Sequence, residues 1–222
     1  MNSLDEINRF LRGYIKPRED SEVLRFAEEH LVPIISPEVE QFLRTLLLAI
    51  KPKNILEIGT AIGYSALFFR EITDAEITTI EISDEMADIA EHFTNGKNIK
   101  VMRGDAGEVL PKLGNTPSSL VRCHSPPSGG EFDFIFLDSS KSHYGEYLDD
   151  LVRLLTPGGI LVCDNVLCRG LVMVSEYPDH KHRTTVMKLR EFLENLVNRE
   201  ELETSILPIG DGISVSVKKG GV

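Results

Sequence analysis

Cysteine is scarce in this chain of 222 residues. Cys123, Cys163 and Cys168 form an odd set without metal-finger spacing, so neither a zinc knuckle nor a disulfide-stapled scaffold is expected. Cys163, in an apolar stretch, reads as core. Long apolar runs are also missing: segments such as 46–50 and 134–137 fall far short of the roughly 20 residues that cross a bilayer. The acidic, amphipathic first residues lack the basic and apolar regions of a secretory signal, so no membrane association and a cytoplasmic location are expected. Positive charge is in deficit. A net charge of -11 excludes a general nucleic-acid coat and leaves only local cationic clusters, at residues 9–18 and 169–190. What is present, 41% hydrophobic and 27% charged residues, is enough to bury a sizeable core and excludes a disordered or fibrous chain.

Ser3 and Glu6 have capping-box spacing ahead of Ile7, Phe10 and Leu11, which predicts an opening helix. Residues 19–31 predict a second. Ser36-Pro37-Glu38 supplies a cap, a first-turn proline and an N-terminal carboxylate for a third helix that runs to residue 50. Strands at 54–58, 76–82, 99–102, 132–137 and 160–163 then alternate with helices at 63–71, 84–93, 105–110, 144–155 and 184–197. A loop rich in Pro, Ser and Gly, residues 114–130, interrupts the series. Such alternation predicts a parallel sheet with crossover helices. Gly210-Asp211-Gly212, between strands 204–209 and 213–217, predicts a closing antiparallel hairpin. The expected fold is α/β and Rossmann-like, with seven mostly parallel strands in one domain spanning 1–222. Residues 1–50 supply N-terminal helices and 51–222 the core.

Glu57-Ile58-Gly59-Thr60-Ala61-Ile62-Gly63-Tyr64-Ser65 places two glycines and an acidic residue where a strand turns into a helix, so that a ligand can approach the backbone. A dinucleotide site would want a glycine at position 61, which is Ala61. Glu57 would repel a pyrophosphate but attract the sulfonium of S-adenosylmethionine, which favours the methyl donor over NAD. Glu81 closes the next strand, at the separation of about 20 residues expected of a carboxylate that holds ribose hydroxyls. Gly104-Asp105-Ala106 follows the third strand, where Asp105 can accept from an adenine amino group.

Asp138 ends the fourth strand and Asp164-Asn165 the fifth. Two carboxylates and an amide oxygen at one sheet edge form a hard-oxygen set suited to Mg²⁺, Mn²⁺ or Ca²⁺. Lys141, three residues beyond Asp138, is a candidate general base for an acceptor hydroxyl.

These residues resemble the divalent-metal-dependent S-adenosylmethionine O-methyltransferases, the family of the caffeoyl-CoA and catechol enzymes, over nearly the whole chain. The motifs are residues 57–65, Phe136-Leu137-Asp138-Ser139-Ser140-Lys141 and Asp164-Asn165-Val166-Leu167. The resemblance implies a class I methyltransferase fold and a homodimer to which residues 4–31 contribute. It implies metal ligation by Asp138, Asp164 and Asn165, catalysis by Lys141 with Asp138, and a cofactor site of Ile35, Glu57, Gly59, Gly63, Ser65, Glu81, Asp105, Ala106 and Asp138. Within the family the chain most resembles bacterial tRNA 5-hydroxyuridine methyltransferases, through Lys16-Pro17-Arg18, Ala27-Glu28-Glu29-His30, Val32-Pro33-Ile34, Gly170-Leu171-Val172, Gly210-Asp211-Gly212 and Lys218-Lys219. It departs at Ser139-Ser140, where the family commonly has alanines, and in the loop at 114–130. The resemblance implies tRNA as substrate, methylated on the wobble 5-hydroxyl, and the basic residues Arg169, Lys181, His182 and Arg183, which follow the strand of Asp164, could meet its phosphates while Lys141 meets the acceptor. Small catechol or caffeoyl-type phenols are the alternative acceptor.

Overall fold

In a computed structural model the described residues are 3–114, 131–174 and 180–220, without the side chains of 3–5, 180 and 181. The Ser3 cap, Cys123, most of the Pro/Ser/Gly-rich loop and the side chain of Lys181 lie outside them.

Three helices open the chain: α1 (Ser3–Arg12), α2 (Glu22–His30) and α3 (Pro37–Ile50). Helix α2 begins three residues later than expected because the Ser21 hydroxyl accepts from Leu24 N at 3.3 Å and caps it there. Ser36 caps α3 as expected, accepting from Val39 N at 3.4 Å. The alternating series follows as β1 (Asn54–Ile58), α4 (Tyr64–Ile72), β2 (Glu76–Glu81), α5 (Asp84–Thr94), β3 (Ile99–Arg103) and α6 (Ala106–Val109). It continues through β4 (Phe132–Leu137), α7 (Tyr144–Leu154), β5 (Leu155–Cys163), α8 (His180–Val197), β6 (Leu202–Leu207) and β7 (Ile213–Lys218). Strand β5 starts earlier than the Pro157-Gly158-Gly159 run allows one to read, since Leu155 pairs with Phe132 across a register shift before Phe134. Helix α8 begins a turn ahead of residue 184, and β6 sits two residues earlier than expected.

The sheet order is β3-β2-β1-β4-β5-β7-β6, with β1 to β5 parallel and the β6/β7 pair antiparallel, as the hairpin signal predicts. Helices cover both faces, so the central strands are apolar almost throughout. Leu56, Ile58, Ile135, Leu137 and Cys163 pack under α7 and α8 with Leu148, Leu151, Leu189 and Phe192. On the other face Ile55, Ile77, Phe134 and Phe136 meet α3 and α4. There Phe69 stands edge-on to Phe134 and Phe136 at 5.9 and 5.5 Å, and truncating such a ring to alanine costs about 3–5 kcal/mol. This packing fixes the sheet edge at which β1, β2, β3, β4 and β5 all end. Among the described residues no helix is long and apolar enough to cross a membrane.

Candidate active site

The turn after β1 is pressed against the end of β4. Asp138 N donates to Ile58 O at 2.9 Å, and Gly59 has φ +101°, where a Cβ would fall 2.1 Å from the Asp138 carbonyl oxygen. Only glycine keeps that approach open. Gly63, at φ +84°, then opens α4 in the left-handed region. Across the turn, Glu81 accepts from Ala61 N at 2.8 Å through Oε2 and from Ser83 N at 2.9 Å through Oε1. Each oxygen keeps acceptor capacity for a hydroxyl, and the backbone contacts hold the carboxylate still. Asp105 caps α6, its Oδ1 accepting from Gly107 N at 2.8 Å, and Ala106 behind it is buried. Ile35 is buried just before α3.

Glu57 differs from its expected role as an open carboxylate in the crevice. It is fully buried beneath the turn, and its two oxygens accept from the hydroxyls of Ser65 and Thr79, the latter at 2.6 Å. Burial pushes its carboxyl up to about 7, against the opposing effect of those two hydrogen bonds. The group is therefore partly neutral near pH 7, and its main work is to tie β1, β2 and α4 together under the glycine turn. Thr79 extends the network to Thr60 at 2.5 Å. Sequence reasoning missed Thr79, although the parallel register places it directly beside Glu57.

Asp138 and Asp164 end neighbouring parallel strands, where Asp164 N donates to Leu137 O at 2.9 Å. Lys141, in a short 3-10 turn, brings Nζ to 3.6 Å from Asp138 Oδ1. Burial holds both carboxyls above the usual carboxylate range, and Asp138 raises Asp164 further while Lys141 opposes the rise at both. Two carboxylates that desolvation and mutual repulsion disfavour, at one strand edge with the Asn165 amide next in sequence, are a donor set that a hard divalent cation would neutralise. The residues fit such an ion. Among the described residues no three His, Cys, Asp or Glu side chains form a metal cluster. Tyr144, which sequence reasoning took only as a helix start, is fully buried, its hydroxyl 3.2 Å from Leu137 O and 3.0 Å from Asp164 O. It braces the two strand ends from below.

Arg169 is exposed on the loop after β5, and His182 and Arg183 are exposed in the first turn of α8. The loop and helix are joined by Arg190, whose guanidinium donates to Val172 O at 3.2 Å and to Val174 O. The Lys16-Pro17-Arg18 stretch has a structural use. Arg18 donates to Glu40 at 2.6 Å and to Ile35 O, and its guanidinium lies 5.4 Å from the centre of the Tyr64 ring. These bonds clamp the N-terminal segment over α3 and α4, where it lines a groove of about 870 Å³ together with Tyr64, Leu67 and Phe68 of α4.

The chain matches the model of the family described as O-methyltransferase over residues 22–219. It is 30% identical over 216 residues to caffeoyl-CoA O-methyltransferase 1 of Eucalyptus globulus, covering 92% of this chain and 85% of that one. It is 28% identical over 196 residues to a catechol O-methyltransferase of Niastella koreensis, with 83% and 82% covered. The crystal structure of an O-methyltransferase from Bacillus cereus in complex with SAH superposes with a TM-score of 0.78 at 26% identity, over 96% of this chain and 97% of that chain.

Proposed function

Because this chain belongs to the O-methyltransferase family and is an S-adenosylmethionine-dependent O-methyltransferase, we propose that its acceptor is a small phenol with two adjacent oxygens. The observation that carries this reading is the Asp138/Asp164 pair beside the Gly59 turn, Asp164 buried and Asp138 partly exposed, which would join a cation-seeking donor set to the cofactor crevice. S-adenosylmethionine, when bound, supplies a sulfonium methyl group, and Mg²⁺ (or Mn²⁺ or Ca²⁺), when bound, supplies Lewis-acid stabilisation of a phenolate oxygen.

The remaining work falls to the chain. Glu81 takes ribose hydroxyls, Asp105 the adenine amino group, and Gly59, Gly63, Ser65, Ala106 and Ile35 shape the crevice. Asp138, Asp164 and Asn165 would hold the cation, which two vicinal oxygens of the acceptor can chelate. Lys141 Nζ, as the free amine, takes the acceptor's hydroxyl proton and becomes the ammonium. Held in the crevice, the oxygen faces the methyl carbon for in-line displacement. The named activities of the Eucalyptus and Niastella relatives, on caffeoyl-CoA and catechol, support this acceptor class. The exposed apolar stripe Ile7, Phe10 and Tyr14 on α1 and its extension supports a homodimer through the N-terminal region.

A second acceptor, 5-hydroxyuridine at the wobble position of tRNA, is favoured by the exposed side chains Arg169, His182 and Arg183 beyond β5, which could meet phosphates. Its 5-hydroxyl and 4-carbonyl oxygens offer the same five-membered chelate. The deciding experiment incubates the enzyme, labelled donor and Mg²⁺ with catechol, a caffeoyl thioester and tRNA carrying 5-hydroxyuridine, each with and without EDTA. Methylation of the phenols alone, abolished by EDTA, is expected. Transfer to tRNA alone would replace the phenol by the second acceptor, and EDTA-resistant transfer would remove the metal.

A further inference from the structure

The loop that follows the Asp164 strand end holds an unusual run of backbone. Asn165, Cys168 and Arg169 have φ of +55°, +48° and +54°, and Gly170 continues at +77°. Each non-glycine residue in that region costs about 1–2 kcal/mol, so the loop needs bonds from outside itself to persist. They come from the segment that leads into β7. Val166 N donates to Gly212 O at 2.9 Å, Leu167 N to Asp211 O at 3.0 Å, and Arg169 N to Asp211 Oδ1. Two consecutive residues thus supply acceptors to three of the loop's amides, and Asp211 uses both its main chain and its side chain. The approach is as close as glycine permits: a Cβ on Gly212 would fall 2.2 Å from Leu167 Cγ. On its other side the same segment is seated on α3, where a Cβ on Gly210 would meet Val39 Cγ2 at 2.7 Å and Ser36 Oγ at 2.8 Å. The segment is a wedge between the N-terminal helices and the loop that carries Asn165.

We propose that Asp211 is a positioning residue: by accepting from Leu167 and Arg169 it fixes the left-handed loop after β5, and so sets where Asn165 faces the metal position and Arg169 the acceptor. Asp211 acts through the loop, and its carboxylate also repels Asp164 through space, an effect that both variants below remove equally. The metal half of this statement rests on the reading of Asn165 as the third metal arm. The bracing half rests on the hydrogen bonds alone.

The test compares Asp211→Ala with Asp211→Asn, since asparagine retains the Oδ1 acceptor for Arg169 N and alanine does not. Three quantities are measured on the full chain: Mn²⁺ affinity, SAH affinity by calorimetry, and amide exchange of the peptide spanning residues 164–172. Asp211→Ala is expected to speed exchange in that peptide and to weaken Mn²⁺ binding about tenfold, the loss typical when a residue that orients a metal ligand is removed. SAH affinity and the melting temperature should stay close to wild type, and Asp211→Asn should recover both lost properties to within about threefold. Unchanged exchange and Mn²⁺ affinity in Asp211→Ala would overturn the proposal. So would parallel loss of SAH affinity and thermal stability, which would mark a general structural defect. Wild-type protein that binds no Mn²⁺ would fail the metal reading itself, while the exchange rates would still judge the bracing role.

Discussion

Asn8 of α1 and Gly210 of the segment before β7 exchange two hydrogen bonds although 202 residues separate them: Asn8 Nδ2 donates to Gly210 O at 2.6 Å, and Gly210 N donates to Asn8 Oδ1 at 3.2 Å. The pair is buried, so its loss leaves an amide N–H and a carbonyl without partners. Each such orphan costs about 1–3 kcal/mol. Asn8→Ala is therefore expected to lower stability by about 2 kcal/mol or more in a urea titration. Asn8→Asp should be no better above pH 5, because a carboxylate cannot donate to the Gly210 carbonyl and would repel it. An alanine variant within a few tenths of a kcal/mol of wild type would show that α1 docks independently of this pair.

Gly59→Ala places a Cβ 2.1 Å from the Asp138 carbonyl oxygen, a backbone atom that cannot rotate away. The end of β4 must move or the turn must open, and SAH binding should be lost in calorimetry together with several kcal/mol of stability. Gly96→Ala is the control: its φ is also positive, at +73°, but nothing lies within 4 Å. It should cost only about 1–2 kcal/mol and leave SAH affinity intact. Equal effects of the two variants would mean that φ alone, without the close approach, governs the turn.

The buried Glu57 makes stability depend on pH with a definite sign. Its carboxyl lies at about 7 in the folded chain against an ordinary 4.5, so between those values the folded state holds a proton that the unfolded state has released. Stability from this group is fully present below 4.5 and is lost as pH rises through 7. A shift of this size amounts to about 3 kcal/mol. Glu57→Gln removes the titration, so relative to wild type it should gain about that much stability between pH 4.5 and pH 8. Urea titrations at both pH values check this, and a wild-type to variant difference that ignores pH would show that Glu57 stays ionised in the fold.

The residues at strand ends were legible from sequence because their position needs only the alternation of apolar runs: Gly59, Glu81, Asp105, Asp138 and Asp164 all stand where expected. What was illegible depends on distances across the fold. Glu57 reads as a crevice residue because it lies just ahead of the glycine turn, whereas its partners Ser65 and Thr79 come from a helix and a neighbouring strand. Tyr144 gives no local signal of bonding to two strand ends. The left-handed residues at 165 and 168–170 are hidden as well, since the loop that holds them is bonded through Val166, Leu167 and Arg169 to a segment more than 40 residues later. The Gly210-Asp211-Gly212 turn signal was correct as a turn but silent about both surfaces that the turn is wedged between.

A homodimer through α1 predicts that light scattering at micromolar concentration gives about twice the chain mass, and that Phe10→Glu shifts it toward the monomer. Phe10 is 65% exposed, with its ring centre 5.2 Å from that of Tyr14, so the substitution should leave the melting temperature of the monomer nearly unchanged. A wild-type monomer would remove the dimer and leave the apolar stripe without its proposed partner.

Asp164 and Lys141 should separate under substitution because the proposed function gives them different steps. Asp164→Asn keeps an amide oxygen to accept from Asn165 N, now 2.7 Å from Asp164 Oδ1, so the strand end retains its geometry and loses only charge. One anionic arm fewer should weaken Mn²⁺ affinity about tenfold or more and raise acceptor KM, with SAH affinity preserved. Lys141→Ala removes the group 3.6 Å from Asp138 that is proposed to take the acceptor's proton, and should lower kcat by about 10²–10⁴-fold. Its acceptor KM and its Mn²⁺ affinity at pH 8 should change little, because Lys141 contributes no oxygen to the cation. The two variants therefore move different parameters, kcat for one and metal affinity with KM for the other. A Lys141→Ala enzyme with unchanged kcat and raised KM would make the lysine an acceptor-binding group, and Asp164→Asn with wild-type Mn²⁺ affinity would place the metal elsewhere.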